Sequence, residues 1–202
     1  MLRHAMRRFY DTGAYTHHIG DEASGLFGLC EGSFGVMVAN RRAGLLLGHI
    51  FRRGAWFGQG PLLTRKPRGL AFRAMEPSTV LYLPLGAIDL IARELPDARR
   101  RLMSLSEYNQ ATVIEAISDL LLRRADERIA ALLLRLCEAD TATGPVTHVV
   151  TQAEMAEMSN VSRPTANAVL RRFARQGAIS IGYGTITVTD AAALEDFLAQ
   201  EA

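Results

Sequence analysis

The chain has 202 residues, 49% of them hydrophobic, and a formal net charge of +2. This is enough for one large domain or two small ones around a sizeable core, and a charge so near neutrality neither points to nor excludes a nucleic-acid partner. Two distant cysteines, Cys30 and Cys137, lack the CxxC or Cys/His spacing of a zinc or iron–sulfur centre, and no run approaches the ~20 apolar residues of a membrane span. No signal peptide is visible, so the expected location is the cytoplasm.

Thirteen of the seventeen glycines precede Ala87. Between them lie short β-prone runs: Leu26–Cys30, Phe34–Val38, Leu45–Phe51, Ala71–Met75 and Val80–Leu83. Close-spaced strands with turn signals predict an antiparallel sandwich or barrel over about residues 8–85. The character changes at Gly86. Ala87–Glu94 reads as a short helix stopping before Pro96, and a long helix starts at Asp97. Leu102, Leu105, Val113, Ile117 and Leu120 give it an apolar stripe, interrupted by Asn109. A stripe this long calls for a partner helix, and self-pairing in a twofold dimer is the common solution, with Asn109 setting register. The alternative is a helix packed only on its own domain.

A new helix begins near Asp126, with Ile129, Leu132, Leu133 and Leu136 facing a core. Thr141–Val146 reads as a loop and residues 147–150 as a short strand. Thr151 followed by Glu154 is a capping box opening a helix over Gln152–Met158, with Met155 and Ala156 inward. Ser159-Asn160-Val161 is a turn in which Asn160 tolerates the left-handed conformation. Ser162 caps the next helix, Pro164 is harmless in its first turn, and Gly177 ends it. Ala166, Val169, Leu170 and Phe173 form the inward side of that helix. Ser162, Arg163, Thr165, Asn167, Arg171 and Arg172 lie on its other faces.

From Pro145 onward the only basic residues are Arg163, Arg171, Arg172 and Arg175, all in this helix. Two helices joined by a tight turn, the second opening with hydroxyl, guanidinium and amide groups, predict a helix-turn-helix reading DNA. Arginine suits guanine, asparagine suits adenine, and hydroxyls and helix N-terminal amides suit phosphate. The β-branched runs around Tyr183-Gly184-Thr185 predict a hairpin wing, and residues 191–199 a last helix.

The segments ERIAALLLRL, TQAEMAEMSNVSRPTANAVLRRFARQGAIS and GYGTITV, together with GDEASGLFGLCEGSFGVMV and FRRGAWFGQGPLLTRKPRGLAFRAMEPSTVLYLP, resemble the Crp/Fnr family of bacterial transcription regulators over nearly the whole chain. The resemblance implies an α+β fold: an N-terminal antiparallel β-roll (a cupin-like jelly roll) over residues 1–95, a dimerisation helix over 96–123, and a winged helix-turn-helix over 124–202. It implies a homodimer on a near-palindromic operator, with RNA polymerase as a further partner. Arg163 matches the family's base-reading arginine and Thr151, Ser162 and Thr165 its phosphate contacts. Gln152 sits beside a base- or phosphate-contacting position, and Gly184 and Thr185 match the wing tip. Pro164 replaces a common glutamate and Ala168 a common basic residue.

The family's cyclic-nucleotide cradle matches Gly58, Gln59, Arg68, Gly69, Val113 and Ile114. Gln59 stands where binders carry a carboxylate, Gly69 replaces a hydroxyl residue, and Val113 and Ile114 replace hydroxyls on the dimer helix. Cyclic AMP is therefore not the expected ligand, no cofactor is expected, and the effector is open. An effector-independent regulator and a cupin-type metal enzyme are the competing readings. The second needs clustered ligands, whereas adjacent His17 and His18 point to opposite faces of a strand and His49 lies far along the chain. No metal site and no catalytic residues are expected.

Overall fold

The computed structural model of the chain describes residues 4–137 and 144–200. It divides into two compact units. One comprises the chain up to Leu45 and Ile50–Val113; the other comprises Leu46–His49 and the chain from Ile114 onward.

In the N-terminal region the strands run β1 (Met6–Tyr10), β2 (Gly25–Glu31), β3 (Ser33–Asn40), β4 (Gly44–Arg52) and β5 (Trp56–Phe57). A single helical turn, α1 (Gly60–Thr64), precedes β6 (Ala71–Ala74) and β7 (Ser78–Pro84). They form two antiparallel sheets, ordered β1-β7-β2-β5 and β4-β3-β6. Inward residues of both sheets share one core: Phe27, Leu29, Val80 and Tyr82 from the first, Phe34, Val36, Phe72 and Ala74 from the second. Phe57 lies at its centre, stacked 4.3 Å from Phe72 and 5.4 Å from Phe27 between ring centroids. The five strands read from the sequence are all present. Two escaped it. β1 is a mostly exposed edge strand, MRRFY, with no alternating apolar face, and β5 is two residues long.

Helix α2 (Leu85–Glu94) buries Ile88 and Ile91 and stops at Leu95, which is extended. Leu95 precedes Pro96, whose ring disfavours a helical predecessor. Helix α3 (Ala98–Leu121) has 24 residues and so is about 36 Å long. Its apolar stripe divides in two. Ala98, Leu102 and Leu105 pack on Leu26, Leu62, Leu83, Ile88 and Ile91 of their own unit. Further along, Tyr108, Val113, Ile114, Ile117 and Leu121 are each more than half exposed. Asn109, the candidate for setting dimer register, has a partner within its own chain. Its amide donates a 3.0 Å hydrogen bond to the Trp56 carbonyl, tying α3 to β5.

The C-terminal region runs α4 (Ala125–Cys137), β8 (Val146–Val149), α5 (Gln152–Met158), α6 (Arg163–Arg175), β9 (Ile179–Gly182), β10 (Thr185–Val188) and α7 (Ala191–Gln200). Much of the loop expected over Thr141–Val146 lies outside the described residues, and Val146 already belongs to β8. The small sheet is ordered β8-β10-β9. Ile129, Leu132, Leu133 and Leu136 of α4 are buried with Met155, Ala166, Leu170, Phe173 and Leu194. Phe173 meets Phe197 of α7 edge to face, centroids 5.3 Å apart. Among the described residues no helix is long and apolar enough to cross a membrane.

Candidate nucleic-acid interface and effector cradle

Local chemistry builds the reading head residue by residue. Thr151 caps α5: its hydroxyl accepts from the Glu154 N–H, and the Glu154 carboxylate accepts from the Thr151 N–H in return. After α5, Asn160 takes φ 50°, the left-handed region that asparagine enters cheaply, and the Val161 N–H closes on the Ala156 carbonyl at 2.9 Å. Ser162 then caps α6, its hydroxyl accepting from the Thr165 N–H at 3.2 Å, with Pro164 in the first turn. Helix α6 ends at Arg175, with Gln176 as its C-cap and Gly177 at φ +79° after it. At both helix starts the cap hydroxyl thus satisfies the N–H three residues on.

Ala166, Leu170 and Phe173 hold α6 to the domain, each no more than 1% exposed. One concave outward surface is lined by Arg163, Pro164, Asn167, Ala168, Arg171, Ala174 and Arg175. Arg163, Asn167, Arg171 and Arg175 succeed one another at four-residue steps, which advance only about 40° around a helix. Arg175 therefore belongs to the basic face, and its spacing from Arg171 is the signal for it. Asn167 donates to the Gln152 side-chain oxygen at 2.7 Å. This fixes both amides side by side while each keeps its other polar group. At the wing, β9 and β10 pair Gly182 with Thr185, Gly184 takes φ +67°, and Tyr183 is fully exposed.

Arg172 departs from the expected outward set. Its guanidinium bonds the Asp126 carboxylate at 2.8 Å and covers the Phe173 and Phe197 rings at 5.2 and 5.3 Å. One residue beyond Arg171 the helix has turned about 100°, so Arg172 faces α4 and α7 instead of the groove side. Arg124 bonds the same carboxylate at 2.8 Å. Burial pushes the Asp126 carboxyl up, but hydrogen bonds from Arg124 and Arg172 outweigh it and hold it down at about 2.

The cradle in the N-terminal unit is occupied by the chain itself. Arg68 is only 2% exposed. It donates to the Gly58 carbonyl at 2.7 Å and the Gly25 carbonyl at 2.8 Å. Gly58 sits at φ +90°, and a Cβ there would lie 2.9 Å from the Arg68 guanidinium. The structure thus brings Gly58 and Arg68 together, with Gln59 as the N-cap of α1. Gly69 is exposed, and Val113 and Ile114 lie on the exposed stripe of α3.

His17 is a core residue. Its ring lies 5.6 Å from Phe27 and 5.3 Å from Phe72, and burial followed by the Arg68 charge pushes it down to about 4. In the other unit, burial and then the neighbouring Arg135 push His49 down to about 3. Both are neutral at ordinary pH. Among the described residues no three His, Cys, Asp or Glu side chains gather to hold a metal ion.

A β-roll followed by a long helix and a winged helix-turn-helix with a basic outward face defines a DNA-binding transcription regulator. The "Cyclic nucleotide-binding domain" family matches residues 7–94, and the "Crp-like helix-turn-helix domain" family matches residues 127–197. Among similar proteins, an HTH-type transcriptional regulator Cmr of Mycobacterium tuberculosis is 28% identical over 88% of this chain and 70% of its own. A Cyclic AMP receptor protein of Thermus thermophilus is 27% identical over 96% and 89%. Among solved structures, FixK2 from Bradyrhizobium japonicum superposes with a TM-score of 0.82, at 16% identity, over 95% of this chain and 96% of that one. The chain belongs to the Crp/Fnr family of transcription regulators.

Proposed function

We propose that the protein acts as a homodimer on a near-palindromic operator, in three functional parts: a sensor-type roll (1–95), a dimer helix (96–123) and a reading head (124–202). The observation that carries this reading is the outward face of α6, where Arg163, Asn167, Arg171 and Arg175 share one surface while Ala166, Leu170 and Phe173 anchor the helix. Arg163 at the first position of α6 and the Gln152–Asn167 amide pair are the base readers. The caps at Thr151 and at Ser162 with Thr165, the Gly184–Thr185 wing tip, Arg171 and Arg175 meet the backbone. Arg172 serves the scaffold. The exposed stripe Val113, Ile114, Ile117 and Leu121 supports pairing of two copies, since an uncovered apolar face of this extent is a liability. The regulator names of the relatives support RNA polymerase as a further partner and a cytoplasmic setting. Selection from a random duplex pool tests the reading. The expected product holds two inverted half-sites about 10 base pairs apart, or a multiple of that spacing; a single, unrepeated half-site would overturn the dimer.

The effector is a separate matter. One relative is named a cyclic AMP receptor, yet here two of the five Arg68 N–H donors are held by buried carbonyls, so a phosphate would have to share the guanidinium with them. Hydrogen bonds to charged groups contribute about 1.5–3 kcal/mol each, so a phosphate that drew Arg68 off either carbonyl would forfeit that much. Gln59 and Gly69 offer less in exchange than a carboxylate and a hydroxyl. Cyclic AMP at 1 mM is accordingly expected to leave the melting temperature unchanged. A true binder present at 100 times its Kd would add about 2.7 kcal/mol, a shift of several degrees that differential scanning fluorimetry would show.

A further inference from the structure

We infer that Arg128 is the positioning residue that sets the recognition helix α6 relative to the end of α3. The inference rests on the DNA-reading dimer proposed above and concerns how that reading head is aimed. Arg128 lies on the first turn of α4 and touches two structures at once. Its Nη1 donates to the carbonyls of Leu122 and Arg123, at 2.9 and 3.0 Å. These are the first two residues after α3 ends. Its Nε donates at 2.9 Å to the carbonyl of Ser159, the C-cap of α5. Ser159 is 1% exposed, so water offers that carbonyl little alternative. The chain then runs through the left-handed Asn160 to the Ser162 cap, and α6 begins at Arg163. Only Asn160 and Val161 separate the Arg128 anchor at Ser159 from the cap of the reading helix.

Two neighbouring ties show why this residue matters. Arg135 bonds Asp119 on the last turn of α3 at 2.7 Å, with the two side chains 5% and 18% exposed. Asp126 bonds Arg172 of α6 at 2.8 Å. Helix α4 is thus fastened to α3 by one pair and to α6 by another, and Arg128 joins the backbone just after α3 to the turn that leads into α6. The planar guanidinium suits this role, because its donors point in several fixed directions at once. A lysine ammonium could serve one side or the other without fixing the angle between them. In a dimer, the ends of the two α3 helices carry the two reading heads. Any looseness at this joint spreads the spacing between them, and two half-sites are read together only when the spacing fits.

The test compares Arg128→Gln and Arg128→Lys with the wild-type full chain. Binding is measured to selected operator and to non-specific DNA. The expected result for Arg128→Gln is a loss of operator affinity of about tenfold, at the upper end of measured coupling effects, with non-specific affinity within about twofold because the basic face itself is intact. Arg128→Lys is expected to recover only part of the loss. A second readout needs neither DNA nor the dimer: spin labels at Leu121→Cys and Ala168→Cys, with Cys30 and Cys137 replaced by serine and labelled chain diluted in unlabelled. The expected distance distribution is narrow with Arg128 and broad with Arg128→Gln. An equally narrow distribution in the variant would overturn the inference. So would equal loss of operator and non-specific binding together with a fall in melting temperature, which marks a merely structural residue. Failure of the wild type to prefer any operator would instead count against the DNA-reading dimer, and the label distances would still decide the role of Arg128.

Discussion

Arg163→Ala is expected to erase operator preference while leaving folding and self-association unchanged. Arg163 opens α6 as an exposed side chain, just after the Ser162 cap and beside Pro164, whose ring pre-sets the backbone of the first turn. The first residues of a recognition helix are those that reach base edges, and an arginine fork pairs with guanine in two bonds worth about 1–3 kcal/mol of discrimination. On the proposed twofold site two copies act together, so about 2–6 kcal/mol is at stake, a factor of roughly 30 to 20,000. The charge lost is one phosphate-scale interaction per head at most, so non-specific binding and its salt slope should change far less. An exposed surface substitution of this kind moves stability by no more than about 0.5 kcal/mol. Competition gel shifts against unrelated DNA, with sedimentation as the control for assembly, check both halves. A variant that kept its sequence preference would remove Arg163 from the reading surface. The parallel change Arg171→Ala has a different signature: affinity should fall about equally on all sequences, with a shallower salt slope.

The reading head was legible because its signals are local. A capping box, a left-handed asparagine, a serine cap, a proline in a first turn and a glycine stop each act within four residues, and the structure shows all of them where the letters stand. The direction of Arg172 was not legible. It adjoins Arg171 in sequence, and only the arrival of Asp126 from α4 and Phe197 from α7 decides that its charge turns inward. The bond of Asn109 was not legible either: an amide in an apolar stripe reads as a register device, and only the fold shows that Trp56, 53 residues earlier in the chain, presents it a carbonyl. In the roll, the substitutions at Gln59 and Gly69 could be seen as losses, but not that Arg68 would bond the Gly25 and Gly58 carbonyls. Arg128 carried no signal at all, since its partners are backbone carbonyls, which every residue has. Period and cap chemistry reveal elements; the partners of long charged side chains emerge only when distant elements meet.

Asp126→Asn is expected to destabilise the C-terminal domain by about 2 kcal/mol at neutral pH, and the difference should vanish in acid. Asp126 is 8% exposed and joins Arg124 and Arg172, so one carboxylate fastens the start of α4 to the far half of α6. Its carboxyl is held at about 2 against an ordinary 3.8, and each unit of such a shift corresponds to 1.36 kcal/mol. A carboxyl lowered on folding contributes stability that is fully present above its unfolded value and disappears as pH falls through its folded one. The window is therefore pH 4 down to about 2. Urea unfolding followed by far-UV circular dichroism at pH 7, 4, 3 and 2 should show wild type and variant converging across that range. A constant gap would mean that packing, not charge, accounts for the loss. Because Arg172 also covers Phe173 and Phe197, Asp126→Asn should loosen the side of α6 opposite the DNA. Operator affinity should then fall by less than with Arg163→Ala, and it should recover at low temperature or with a stabilising co-solvent, since the reading residues themselves remain in place.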